Sequence, residues 1–171
     1  MKYTIYGIRK IVFRNLAGKP DDYNKAGGKR SFAVVLPEEY ADALMKEGFD
    51  VRRFIDKETG EEGDAYLKVK VNFRTDPETG AITSPKIYLV NKKGKVMLKP
   101  NTAERFDSCE VDYADLVISP YVYKNIAGRS GISAYCDKMF VNLIEDPLEE
   151  KYAMVEDEAD SYAEEFPFDD E

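Results

Sequence analysis

The chain is expected to fold as a mainly β domain, a small antiparallel barrel with extra hairpin strands and one helix, followed by a disordered acidic tail. Three features predict this. Short runs rich in Val, Ile, Tyr and Phe recur at hairpin spacing instead of alternating with helices. One of them, residues 65–74, alternates strictly: Leu67, Val69, Val71 and Phe73 fall on one face, and Tyr66, Lys68, Lys70, Asn72 and Arg74 on the other. Finally, residues 153–171 hold nine acidic side chains and no basic one, a composition that cannot bury enough apolar surface to order itself.

The elements follow in order. Residues 2–14 read as one long strand and residues 30–36 as a second. Between them Gly18, Pro20, Asn24, Gly27 and Gly28 mark a loop. Pro37 starts a helix with Tyr40, Ala41, Leu44 and Met45 on one face, and Gly48 stops it. A short strand at 51–55 and a charged loop at 57–64 lead into the alternating segment. After the turn-rich Asp76-Pro77-Glu78-Thr79-Gly80, strands at 86–91 and 95–98 flank Lys92-Lys93-Gly94 as a hairpin. A helical turn at 102–106, strands at 116–124 and 132–144, and a last helical turn at 148–152 complete the body. The expected division is a domain at 1–152 and a tail at 153–171.

A length of 171 residues suits one domain with an extension, and 43% apolar and 34% charged residues are ordinary for a globular chain. No apolar run approaches the roughly 18 residues of a membrane span. The opening Met1-Lys2-Tyr3-Thr4-Ile5-Tyr6-Gly7 lacks the features of a signal peptide, so a cytoplasmic location without membrane association is expected. Cys109 and Cys136 are too few and too far apart for a zinc site or a disulfide framework, and Cys136 reads as a small buried hydrophobe. The chain has no histidine, the commonest proton-transfer and metal-binding side chain near neutral pH. It also lacks a Gly-rich phosphate loop, a Ser elbow and a carboxylate cluster at metal-ligand spacing. No catalytic residue, metal site or cofactor is expected.

The net charge of −8 conceals an asymmetry: the tail contributes −9, while the body sets 25 basic against 33 − 9 = 24 acidic residues and is +1. Within the body, residues 1–31 hold eight basic and two acidic side chains, and residues 81–103 hold five lysines and no acid. Three clusters stand out. Lys68, Lys70 and Arg74, beside Tyr66, line the polar face of their strand. Alternate positions on a strand lie about 6.6 Å apart, close to the spacing of phosphates on an extended single strand. A plain solvated sheet face is the competing reading. Lys86, Lys92, Lys93, Lys95 and Lys99 form a second cationic edge, or else a hairpin that lysines keep soluble. Arg14, Lys19, Lys25, Lys29 and Arg30 form a third, among flexible glycines, where mobile contacts to phosphate are tolerated.

Aromatic residues supply the second ingredient, with 12 Tyr, nine Phe and no Trp. Tyr121 and Tyr123 share a face and precede Lys124, while Tyr66, Tyr88 and Tyr135 sit in strands beside cations. Tyrosine packs its ring on a base while its hydroxyl stays wet. Arg129, in the loop between the last two strands, joins this set. Cations interleaved with tyrosines imply a single-stranded nucleic acid as ligand. In the tail, Phe166 and Phe168 flank Pro167 ahead of Asp169, Asp170 and Glu171. Paired aromatics embedded in acid look like a docking peptide for a basic partner with an apolar pocket, the alternative being a charged solubilising tail. Homo-oligomerisation is left open.

A set of landmarks narrows the reading. They are Val12-Phe13-Arg14-Asn15-Leu16-Ala17-Gly18, Gly28-Lys29-Arg30-Ser31-Phe32-Ala33-Val34, Gly48-Phe49-Asp50-Val51 and Ala65-Tyr66-Leu67-Lys68-Val69. Asp115-Leu116-Val117-Ile118-Ser119-Pro120-Tyr121, Gly131-Ile132-Ser133-Ala134-Tyr135 and Met139-Phe140-Val141 follow. In this order and spacing, over nearly all of the body, the chain resembles the single-stranded-DNA-binding proteins of double-stranded-DNA bacteriophages and prophages. The resemblance implies an OB-fold, a five-stranded partly open barrel with an oligonucleotide-binding face. It also implies binding of single-stranded DNA with little sequence preference and an acidic tail that recruits replication and recombination proteins. Phe49 stands where that family suggests Trp, and Leu16 where it suggests Phe; both read as core swaps. The tail ends on Asp169-Asp170-Glu171, whereas related tails often finish on the aromatic. The alternatives are a phage structural or interaction protein, or a non-catalytic accessory subunit of a nuclease.

Overall fold

The apolar opening run folds as two strands, β1 (Tyr3–Ile8) and β2 (Ile11–Asn15), instead of one. Gly7 accounts for the break. Its φ of 66° is accessible to glycine at no steric cost, and its N–H donates to the Asp115 carboxylate at 2.9 Å. The bend sends the two halves of the run to different partners. The remaining elements are β3 (Arg30–Leu36), α1 (Glu38–Glu47), β4 (Val51–Ile55), β5 (Glu62–Val71), β6 (Arg74–Thr75), β7 (Ile82–Ser84), β8 (Lys86–Asn91), β9 (Gly94–Met97), α2 (Arg105–Ser108), β10 (Val111–Lys124) and β11 (Ser130–Leu143). This computed structural model describes residues 1–20, 25–124, 127–128 and 130–144. Arg129, the helical turn expected at 148–152 and the whole 153–171 tail lie outside the described residues.

The main sheet runs β1-β10-β11-β5-β3-β2, with β4 added to β5 and the β8–β9 hairpin added to β11. Because β1 and β2 are successive pieces of one run, the chain links the two ends of this order and curls the sheet into an OB-like barrel. The sheet is mixed where a purely antiparallel one was expected. Strand β11 runs parallel to β5, with Ala134 opposite Val69 and Tyr135 opposite Lys70, and parallel to β8 farther along. Parallel pairs require long crossovers, and the chain from β6 through β10 supplies one. The alternating segment also ends sooner than the pattern suggests. β5 stops at Val71, and Arg74 belongs to a separate two-stranded sheet with β7.

Inside the curl, Ile5, Ile8, Phe32, Leu67, Leu116, Ile118 and Met139 are fully buried, and Phe32 meets Phe106 edge-on at 5.2 Å. Leu16 and Phe49 are both in this core, as the swap reading expects. Cys136 is buried too, and burial pushes its thiol pKa far up. In α1, Ala41 and Leu44 are buried, while Met45, expected on the same face, is 50% exposed. No helix among the described residues is long and apolar enough to cross a membrane.

Candidate nucleic-acid interface

Strand alternation puts Leu67 and Val69 into the core and Lys68 and Lys70 onto the outer face of β5. Two neighbours complete a recess around them. On one side, β4 pairs with β5 and sets Arg52 opposite Tyr66. Farther along the same edge of β5, β11 and its partner β10 place Tyr121 opposite Ser133 and Tyr123 opposite Gly131. The result is a recess of about 410 Å³ lined by Arg52, Lys68, Lys70, Tyr121, Tyr123 and Ser133, among others. Tyr121 is 59% exposed, so its ring faces solvent and not the core.

Close approach of backbone and ring shapes the tyrosine wall. A Cβ built on Gly131 would lie 2.6 Å from the Tyr123 hydroxyl oxygen. Only glycine lets that ring lie flat across β11. Next to it, Tyr121 meets Tyr135 edge-on at 5.9 Å. Lys70 joins the cationic and aromatic halves. Its Nζ is 5.8 Å from the Tyr135 ring centroid and donates to Ser133 Oγ at a long 3.5 Å.

A second recess, of about 920 Å³, continues from the first and shares Asp50, Arg52 and Lys68 with it. Phe13, Asn15, Ser31 and Tyr66 line its far side. Tyr66 packs on Phe54 at 4.4 Å. Asp50 is the one acid in either lining among the described residues, and its carboxylate pairs with Arg52 at 3.2 Å. That pairing raises the Arg52 pKa further above its ordinary value and fixes the guanidinium at the junction of the two recesses.

Six of the sequence candidates, Arg14, Tyr66, Lys68, Lys70, Tyr121 and Tyr123, line the two recesses, and Tyr135 packs against Tyr121 beside them. Lys124 is exposed at the end of β10, beyond Tyr123, and Lys29 is exposed just before β3. The loop arginines are placed differently from a mobile phosphate-binding cluster. Arg14 donates to the carbonyls of Phe106 (2.9 Å) and Cys109 (2.6 Å), with its guanidinium 5.2 Å from the Phe106 ring. Arg30 donates to the carbonyls of Leu16 and Pro100 and sits over Phe73. Arg74 lies in the small second sheet and lines neither recess.

Tyr88 and Lys95 form a separate stack on the β8–β9 hairpin. Tyr88 lies parallel to Phe140 at 5.0 Å, and Lys95 Nζ is 4.6 Å from its centroid. Lys92 and Lys93 occupy the turn of that hairpin. Arg129 and the docking residues Phe166, Phe168, Asp169, Asp170 and Glu171 lie outside the described residues. Among the described residues no group of three or more Cys, Asp and Glu side chains is arranged to hold a metal.

Sequence reasoning passes over Arg52 and Phe13. Arg52 and Arg53 are adjacent, so a strand sends them to opposite faces, and the pattern alone leaves open which one faces the groove. Arg53 is taken by Glu38 at 2.7 Å. Phe13 reads as one more apolar residue of a long strand.

Among solved structures, the single-stranded DNA-binding protein from bacteriophage Enc34 in complex with ssDNA is 16% identical. It aligns over 85% of this chain and 88% of that one with a TM-score of 0.52. A C-terminal truncation of the same phage protein gives 16% identity, the same coverages and a TM-score of 0.50. At such identity the likeness is one of fold. No curated protein matches the chain. The model of the family described as "Putative phage ssDNA-binding domain" matches residues 3–169. Since that match spans almost the entire sequence, the chain belongs to the phage ssDNA-binding domain family.

Proposed function

We propose that the protein binds single-stranded DNA with little sequence preference. Phosphates rest on Arg52, Lys68 and Lys70, and bases stack on Tyr121, Tyr123 and Tyr135. The position of Lys70 carries this reading, because it ties the cation row of β5 to the tyrosine wall within one open recess. Charge neutralisation supplies affinity without reading sequence, and every base offers a face to stack. Lys29 and Lys124 add charge at the margins. The protein acts as a non-catalytic DNA-binding component of phage replication or recombination in the cytoplasm of the bacterial host. The segment 153–171, through Phe166, Phe168 and the terminal acids, docks partner proteins.

A titration of labelled oligo-dT against salt, read by anisotropy, tests the reading. Affinity should fall steeply with salt. Each phosphate neutralised contributes about 0.7 to the log–log slope for single strands, so Lys68→Ala with Lys70→Ala should lower the slope by about 1.4. An unchanged slope in a folded double mutant would move the site elsewhere. Ending the chain after residue 152 should leave low-salt binding at least as tight, because the acidic segment competes with phosphate.

A further inference from the structure

Phe13 is held in a way that core packing does not explain. Its φ is 51°, the one positive value at a non-glycine position among the described residues. A bulky side chain in that region is a strained outlier, and such strain concentrates at binding and catalytic sites. The register of β2 against β3 shifts between Val12 and Asn15. The irregularity turns the Phe13 ring away from the barrel interior, where it stays 65% exposed. An aromatic ring kept in solvent by an unfavourable backbone adds little to packing.

The ring's surroundings suit a flat ligand. Tyr66 meets it edge-on at 5.9 Å and Phe54 is tilted at 6.1 Å, so neither lies parallel over a ring face. Phe13 stands in the second recess together with Arg52 and Lys68, the same cations that line the tyrosine recess. A polyanion held at Arg52 and Lys68 therefore has an aromatic platform within reach on either side of it.

We propose that Phe13 is a nucleobase-stacking residue that carries the bound single strand out of the tyrosine recess and into the second one. The bulge in β2 exists to present this ring. The occupant is one base of the strand whose phosphates rest on Arg52 and Lys68, so the inference rests on the single-stranded-DNA reading of the groove. Charge favours this occupant, since among the described residues Asp50 is the one acid of the lining and Arg52 pairs with it.

The chain contains no tryptophan, so Phe13→Trp creates a single tryptophan, excited selectively at the red edge beyond tyrosine absorption, in the full-length protein. With labelled oligo-dT, anisotropy reports binding and tryptophan emission reports contact. The expected result is near-native affinity with emission quenched as the oligonucleotide saturates the protein. Phe13→Ala and Phe13→Gly should each weaken binding by about 5- to 100-fold, the range for losing one stacked base. The Gly variant should nonetheless melt above the Ala variant, because glycine adopts the positive φ freely. Unquenched tryptophan in a saturated complex would overturn the proposal. So would native affinity in both truncations, or a loss confined to self-association by sedimentation. Absence of any anisotropy change with the native chain would instead mean that the groove reading itself has failed.

Discussion

Two groups of cations sit within the same first half of the chain and are held in opposite ways. Arg14 and Arg30 lie in or beside the glycine-rich loop, where sequence suggests mobile contacts. Their guanidiniums are instead turned onto backbone carbonyls of Phe106, Cys109, Leu16 and Pro100. Each staples the β2–β3 edge to the segment that carries α2, and each lies over an aromatic ring. Lys68 and Lys70 project from a rigid strand into an open recess. The difference follows from side-chain chemistry. A planar guanidinium with several fixed donors satisfies multiple carbonyls at once, whereas an ammonium on a flexible stem suits phosphates that shift along a groove.

Removing a staple should produce the largest effect on stability. Arg14→Ala deletes three charge-assisted hydrogen bonds and leaves the carbonyls of Ile11, Phe106 and Cys109 without that donor. It should cost about 3 kcal/mol and lower Tm by roughly 6–12 °C, with the affinity of the folded fraction for oligo-dT unchanged. A thermally unaffected Arg14→Ala that loses affinity would erase the distinction between the two groups. A smaller effect, of opposite character, is expected at Gly131. Gly131→Ala must push the Tyr123 ring off β11, so binding should weaken about threefold to tenfold while Tm moves little. Loss of stability without loss of affinity would show that the Tyr123 ring braces the hairpin and does not serve the groove.

The smallest effect should come from the exposed pair Glu38–Arg53, at 2.7 Å. The hydrogen bond from Arg53 holds the Glu38 pKa below its ordinary value. A carboxylate with a depressed folded-state pKa adds stability above its unfolded pKa and loses it as pH falls through the folded value. Glu38→Gln should therefore lower Tm slightly at neutral pH, converge with the native chain in acid, and leave DNA affinity alone. A gap that persisted in acid would point to a cause other than the ion pair.

The groove was legible where local periodicity decides orientation. The alternation around Leu67 and Val69 fixes the face of Lys68 and Lys70, and the spacing of Tyr121 and Tyr123 puts both on one side of β10. The curl was legible as well, through strands at hairpin spacing. What escaped depends on contacts between distant parts of the chain. Nothing near Arg14 or Arg30 in sequence announces that carbonyls some 70 to 95 positions away will bind them. Arg74 was misplaced because a period-two pattern does not show where pairing stops, and β3 offers β5 no partner past Val71. The parallel contact between β5 and β11 is equally silent, since no turn joins the two strands.

That parallel contact sets a time order on the molecule's competence. The lysine wall comes from residues 68 and 70, and the tyrosine wall from residues 121–135; they meet where Ala134 pairs with Val69. Closing so long a loop is slow compared with forming local hairpins. A chain emerging from the ribosome can assemble β3 and β4 on either side of β5 long before β11 has been synthesised. Such a nascent fragment displays the cations of β5 without the tyrosines of β10 and β11, so on the proposed single-stranded-DNA reading the groove is complete only with the last strand. Oligonucleotide capture is for this reason a stringent reporter of completed folding, and the ligand should stabilise the finished barrel selectively over its partly folded precursors.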